Sequence, residues 1–155
     1  MILEWAEYDA GYDDLIDSWL DDFAVKMTGL DSGWNDYWNG VLLDSVNFPG
    51  CVDVCRIIQA DGMPLAAVSF GYFSGEVTIS EIIVAPGQRG NGIGTQILKE
   101  LVLLSRDLFQ AEIIRFCAVV FPDNTASQGA FEKAGFDKQL MPDGTCFQYV
   151  YPCGR

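Results

Sequence analysis

The chain has 155 residues, half of them hydrophobic, with 22 Asp or Glu against nine Lys or Arg, no His, and a net charge of −13. A chain this long buries roughly 70% of its unfolded surface, so one domain over residues 1–155 is expected, and the hydrophobic share argues against disorder. The charge opposes nucleic acid and anionic membranes as partners, no apolar run nears the ~18 residues of a membrane span, and the acidic start MILEWAEYDAGYDD lacks the bases of a signal peptide, so a cytoplasmic location is expected.

Residues 2–8 alternate as a strand, and Asp9-Ala10-Gly11 breaks it. Leu15, Ile16, Trp19, Leu20, Phe23 and Met27 are spaced as one amphipathic helix, with Asp13, Asp14, Asp17, Asp21 and Asp22 on its other face. Asp13 and Asp14 suit a helix N-terminus. Asp21 and Asp22 lie beyond the reach of that dipole and are candidates for a functional charge. Residues 29–40 then interleave Trp34, Tyr37 and Trp38 with Asp31 and Asp36, and a second helix over residues 34–46 ends at Phe48-Pro49-Gly50. Two readings compete for the aromatics. They are core at helical spacing, or Trp34 and Trp38 join Asp21 and Asp22 in a pocket that receives a cation. The charge distribution favours a cationic acceptor. Residues 1–62 hold thirteen acids against two bases, and the remainder nine against seven.

Residues 52–59 and 65–72 form a predicted hairpin across Asp61-Gly62, and Phe73-Ser74-Gly75 turns into a β-branched strand over residues 77–84. Pro86-Gly87 ends it. Next comes Gln88-Arg89-Gly90-Asn91-Gly92-Ile93-Gly94, followed by Ile97, Leu101 and Leu104 at helical spacing from Ile93. Alternate glycines let main-chain N–H groups approach an anion, the helix start adds unpaired donors, and Arg89 adds a forked charge. These parts converge on a phosphate group. A Walker loop is excluded because no Lys follows the glycines. A dinucleotide fingerprint has a different glycine spacing directly after its strand, whereas five residues separate Val84 from Gly90 here.

Residues 113–121 are a continuous apolar strand, expected to be buried on both faces. Asn124 is a good N-cap for a helix that Gly135 ends. Residues 136–141 and 146–151 form a last hairpin over Pro142-Asp143-Gly144. The five cysteines (Cys51, Cys55, Cys117, Cys146 and Cys153) are odd in number and scattered, which argues against a disulfide framework. With no His in the chain, no metal site is expected.

Arg89-x-x-Gly92-x-Gly94, after a strand ending Val84-Ala85-Pro86, resembles the pyrophosphate-binding motif of the GNAT superfamily of acyl-CoA-dependent N-acyltransferases. The segment from Asn124 through Phe131 to Gly135-Phe136 resembles that family's later motif, in which an Asn opens a short helix and an aromatic follows seven residues on. The resemblance covers residues 65–136, and the first sixty match in predicted layout. It implies an α/β fold: a mixed, mostly antiparallel central sheet flanked by helices on both faces, in the order β-αα-βββ-α-β-α-ββ. It implies transfer of an acetyl group from acetyl-CoA to the amine of a small molecule or peptide, which the charge distribution makes a cationic one. Contacts with coenzyme A are then expected at Ile82, Ile83, Val84, Arg89, Gly90, Asn91, Gly92, Ile93, Gly94, Thr95, Asn124, Ser127 and Phe131. A main-chain N–H near Ile82 is expected to hold the oxyanion. A non-catalytic module of the same fold that senses acyl-CoA is the alternative, and a homodimer stays open.

The amine must attack as the free base, so a group must take its proton. Family members often carry a Glu for this in the strand that precedes the glycine loop, here residues 77–84. Glu81 is the only carboxylate within that strand's core, yet the usual positions fall at Ser80 and Thr78, and period-two alternation points Glu81 to the opposite face. A β-bulge would change that parity. A water relay through Ser80, or a carboxylate from the acidic first half, is the alternative base. The family's thiolate-protonating Tyr is replaced by Phe131. Tyr149 and Tyr151 are substitutes in principle, though both read as core.

Overall fold

The computed structural model describes residues 1–153. Seven strands form one sheet: β1 (Glu4–Glu7), β2 (Val52–Ala60), β3 (Met63–Phe73), β4 (Glu76–Val84), β5 (Arg115–Val120), β6 (Asp137–Leu140) and β7 (Phe147–Pro152). Their order across the sheet is β1-β2-β3-β4-β5-β7-β6. Every neighbouring pair is antiparallel except β4 and β5. The helices are α1 (Asp13–Trp19), α2 (Asp22–Thr28), α3 (Trp34–Ser45), α4 (Ile93–Phe109) and α5 (Thr125–Lys133). No helix among the described residues is long and apolar enough to cross a membrane.

Two apolar cores hold the helices to the sheet. On one face, Ile93, Ile97, Leu98 and Leu101 of α4 and Phe131 of α5 pack on Val77, Ile79, Phe116 and Ala118. Ile97, Leu98 and Leu101 are fully buried, and side chains of this size each contribute about 1.5–3 kcal/mol when removed from water. On the other face, Ile16, Trp19 and Trp34 pack on Cys55, Ile57, Ala67 and Ile83.

The single helix expected from Leu15 to Met27 is two helices. Leu20 leaves helical geometry and Asp21 is extended (φ −72, ψ 177), with its carboxylate accepting from the Ala24 N–H at 2.9 Å. Asp21 is therefore the N-cap of α2, and Asp22 lies in its first turn, where the dipole does favour an acid. Period-3.6 spacing ran through the break and concealed it.

The second departure lies between β4 and β5. The parallel strands β4 and β5 pair only at Glu76, Val77 and Thr78 with Arg115, Phe116 and Cys117. Beyond Thr78 no pairing is made, and a cleft opens between Ile79–Ile82 on one side and Ala118–Phe121 on the other. Val119 and Phe121 are exposed there, so β5 is not buried on both faces as its apolar run suggested.

Candidate active site

The face on which Glu81 lies is decided by one irregularity. Ser69 pairs with Glu81, and the next residue, Phe70, pairs with Ile79, which leaves Ser80 as an extra residue in β4. Val77 and Ile79 point into the α4 core, so Thr78 and Ser80 point the other way. After the bulge, Ile83 lies in the α1–α3 core and Ile82 and Val84 pack toward α4. Glu81 therefore shares the face of Ser80 and Ile83 rather than that of Ile79. Strict alternation fails here for the reason a bulge always breaks it.

Glu81 and Ser80 both line the β4–β5 cleft. Burial pushes the Glu81 carboxyl up to about 8. Across β3, the hydroxyls of Tyr37 and the buried Ser69 lie 2.6 Å apart. Burial pushes the Tyr37 phenol up to about 12, and the Glu81 charge adds to this while the Ser69 and Ser80 hydroxyls oppose it. Tyr37 thus lies beside Glu81 and Ser80, whereas the sequence left it either as a core aromatic or as one ring of a cation pocket. The available signal was weak: Tyr37 stands one helical turn from Trp34, and a buried Tyr hydroxyl needs a partner.

At the other end of the opening lies the glycine loop. Gly90 and Gly92 have φ of 81° and 77°, and a Cβ at either would meet nothing within 4 Å. Gly92 caps α4 without any side-chain bond, so the first-turn N–H groups of this 17-residue helix have no side-chain acceptor. They face a cavity of about 460 Å³ lined by Arg89, Gly90, Gly92, Ile93, Gly94 and Thr95, with Ile82 and Val84 beside them. Its far wall includes Ser127 and Phe131 of α5. A Cβ on Gly94 would stand 3.7 Å from that of Ala130, an ordinary contact, so α4 and α5 lie close together at this point.

The remaining expected contacts are less uniform. Asn91 is exposed and lines none of these cavities. The Ile83 side chain is buried in the α1–α3 core, which leaves only its main chain for the cleft. Asn124 borders the cleft, but its side chain accepts from the Ser127 N–H at 3.1 Å as the cap of α5. Phe131 stacks on Tyr149 at 5.3 Å. The Tyr149 hydroxyl donates to Glu132 at 3.2 Å, and Tyr151 packs on Phe116 and Phe136, so both tyrosines are core as read.

The acceptor pocket expected from Asp21, Asp22, Trp34 and Trp38 does not form. Asp21 binds Arg89 at both oxygens, at 2.9 and 3.1 Å. This pairing, with the Ala24 N–H, holds its carboxyl below the usual range. Arg89 also lies 5.1 Å over the Phe23 ring. Asp21 therefore lies at the glycine-loop end of the opening. Asp22 is exposed at the start of α2, Trp34 is fully buried, and Trp38 packs edge-on against Tyr8. Of the aromatic stripe, Trp34 is core, as hydrophobic burial favours, and Trp38 packs partly buried against it.

A sheet opened between two parallel strands, a glycine cradle at a helix N-terminus and a half-buried carboxyl in the adjoining cleft form the candidate site. The model of the acetyltransferase (GNAT) family matches residues 11–136, and the chain belongs to that family. No curated protein matches it. Among solved structures it resembles an aminoglycoside acetyltransferase AAC(6')-Ib in complex with coenzyme A (TM-score 0.74, 20% identity, covering 98% of this chain and 95% of that one). It also resembles an acetyltransferase from Thermus thermophilus (TM-score 0.75, 18% identity, 98% and 97% covered). A third is the Campylobacter jejuni N-acetyltransferase PseH in complex with acetyl coenzyme A (TM-score 0.69, 11% identity, 99% and 100% covered).

Proposed function

We propose that this protein, as one domain, transfers an acetyl group from acetyl-CoA to the amine of a small, cationic acceptor. The observation that carries the proposal is the placement of the glycine cradle and the half-buried Glu81 in adjoining cavities that share Ile82, Ser127 and Phe131. The residues present fit coenzyme A. The Gly90 and Gly92 positions leave open space, α4 begins without a side-chain cap, and the cavity before them is partly apolar. When bound, the donor supplies an activated thioester.

The chain's own groups do the rest. The loop amides and Arg89 hold phosphate oxygens, and Phe131 packs beside the thioester arm. A main-chain N–H near Ile82 polarises the carbonyl oxygen. Glu81, as the carboxylate, takes the amine proton directly or through water at Ser80, beside the paired hydroxyls of Tyr37 and Ser69. Phe131 has no proton to give. A thiol of reference pKa near 8.5 is a fair leaving group as its anion, so the reaction survives without that acid. An aminoglycoside acetyltransferase solved with kanamycin has this fold at a TM-score of 0.71 and 20% identity, which supports small amines as the class to test. The test is acetyl-CoA-dependent thiol release across polyamines, amino sugars, amino acids and peptide N-termini. An amine that yields thiol and acetylated product together is expected.

A further inference from the structure

The face of the sheet that carries Ser80 is covered by α1 and α3 over Cys55, Ile57, Ala67 and Ile83. Beyond that cover lies a cavity of about 340 Å³, lined by Cys51, Asp53, Gly71, Glu76, Thr78 and Ser80. Asp53, Gly71 and Thr78 stand side by side in one row across β2, β3 and β4. Ser80, on the same face, lines both this cavity and the cleft that holds Glu81. The cavity thus opens onto the reaction centre from the side away from the glycine loop.

Its two carboxylates differ. Glu76 is taken up by the Arg115 guanidinium and by the Cys117 thiol at 3.1 Å. Asp53 receives only neutral donors, the Ser45 hydroxyl and the Cys51 thiol, and has no cationic partner among the described residues. A carboxylate accepts about four hydrogen bonds, so Asp53 keeps capacity for a cation. Gly71 makes the room for it: a Cβ there would stand 2.7 Å from an Asp53 oxygen. Gly71 has ordinary strand geometry rather than a positive φ, so the space is what the glycine provides. Phe73, half exposed and edge-on to Phe48 at 5.8 Å, walls the open end.

We propose that this cavity anchors a second cationic group of the acceptor, with Asp53 as the counter-charge, while the reacting amine lies at Ser80 and Glu81. The proposal rests on the acetyl-transfer reading and names its substrate class: compounds with two ammonium groups at a fixed separation. Two strand spacings and one two-residue step put the Cα atoms of Asp53 and Ser80 roughly 12 Å apart. With side-chain reach this suits cations about 8–12 Å apart. The distal ammonium keeps its proton and is not acetylated.

The test compares diaminohexane and diaminooctane with hexylamine on the protein saturated with coenzyme A, by calorimetry, and with acetyl-CoA, by thiol release. The parent should bind the better diamine at least about tenfold more tightly than hexylamine, as expected for one charge-assisted contact. Asp53→Asn should collapse that preference toward one, and Glu76→Gln, which removes a carboxylate already paired, should retain most of it. Diamines that bind no better than hexylamine, or a preference that survives Asp53→Asn, would overturn the anchor even where amines are acetylated. Diamine preference lost in Asp53→Asn without thiol release from any amine would leave the anchor standing and remove the acetyl-transfer reading instead.

Discussion

Glu81 should make the protein lose stability as pH rises, in a window where no other described residue is shifted to titrate. Its ordinary value is 4.5 and burial raises it to about 8. Between those values the unfolded chain releases the proton and the folded chain retains it, so stability declines with pH and the full penalty is reached above 8. A shift of this size corresponds to at most about 5 kcal/mol. Glu81 is not wholly enclosed, and water reaching it should reduce the effect to roughly 2–5 kcal/mol. The chain has no His. Asp21, Glu76 and Asp143 are shifted down, while Tyr37, Cys55 and Cys117 are shifted up to about 11 or 12. Urea denaturation of the parent and Glu81→Gln at pH values of about 5 and 8.5 isolates the effect, because all other groups are shared. The parent should lose more stability than the variant between the two pH values, by the amount above. Equal losses would refute a buried, proton-retaining Glu81. The same group predicts an activity limb that rises toward pH 8, since only the carboxylate accepts a proton, and a loss of about 10²–10⁴-fold in turnover for Glu81→Gln.

Gly92→Val places a side chain at φ 77° where phosphate is expected. CoA affinity should fall by at least the roughly 1.5–3 kcal/mol of one charge-assisted bond; calorimetry on the folded variant checks it, and unchanged affinity would remove the phosphate assignment. Asp21→Asn frees Arg89 from its bidentate partner, so CoA should bind more tightly, with the gain shrinking in high salt; weaker binding would show that the Arg89 position depends on Asp21. Phe131→Ala removes a ring that is 5% exposed and packed on Tyr149 and Phe136. It should cost about 3–5 kcal/mol of stability and weaken CoA binding, whereas Phe131→Tyr should keep CoA affinity within a few-fold.

The glycine loop was legible in the sequence because its chemistry is local. Positive φ at Gly90 and Gly92, a helix start and Arg89 all follow from residue types within one short stretch. Most strands were legible for the same reason. The break between α1 and α2 was not, because the apolar spacing continues across Leu20 and Asp21 and only the Asp21 carboxylate on the Ala24 N–H reveals a new helix. The face of Glu81 turned on a single extra residue opposite Ser69 and Phe70, and period-two reasoning cannot count that residue from one strand alone. Tyr37 and Asp53 could not be placed from sequence because their surroundings come from partners far along the chain, Ser69 and Gly71. The uneven acidity was legible, but not which carboxylates are already paired. Asp21, a candidate functional charge on a reading of the sequence, is neutralised by Arg89, while Asp53, in a strand, lines a cavity and has no cationic partner among the described residues.

The central claim is that the opening between β4 and β5 performs acetyl transfer, and the most direct measurement is product stoichiometry. The protein is incubated with acetyl-CoA and a panel of diamines and amino sugars, and free thiol and acetylated amine are quantified together by absorbance and mass spectrometry. At least one amine is expected for which thiol and acetylated product appear one for one and both nearly vanish in Glu81→Gln. Tight CoA binding with no acetylated product from any amine would contradict the claim and leave a protein that binds the donor without using it.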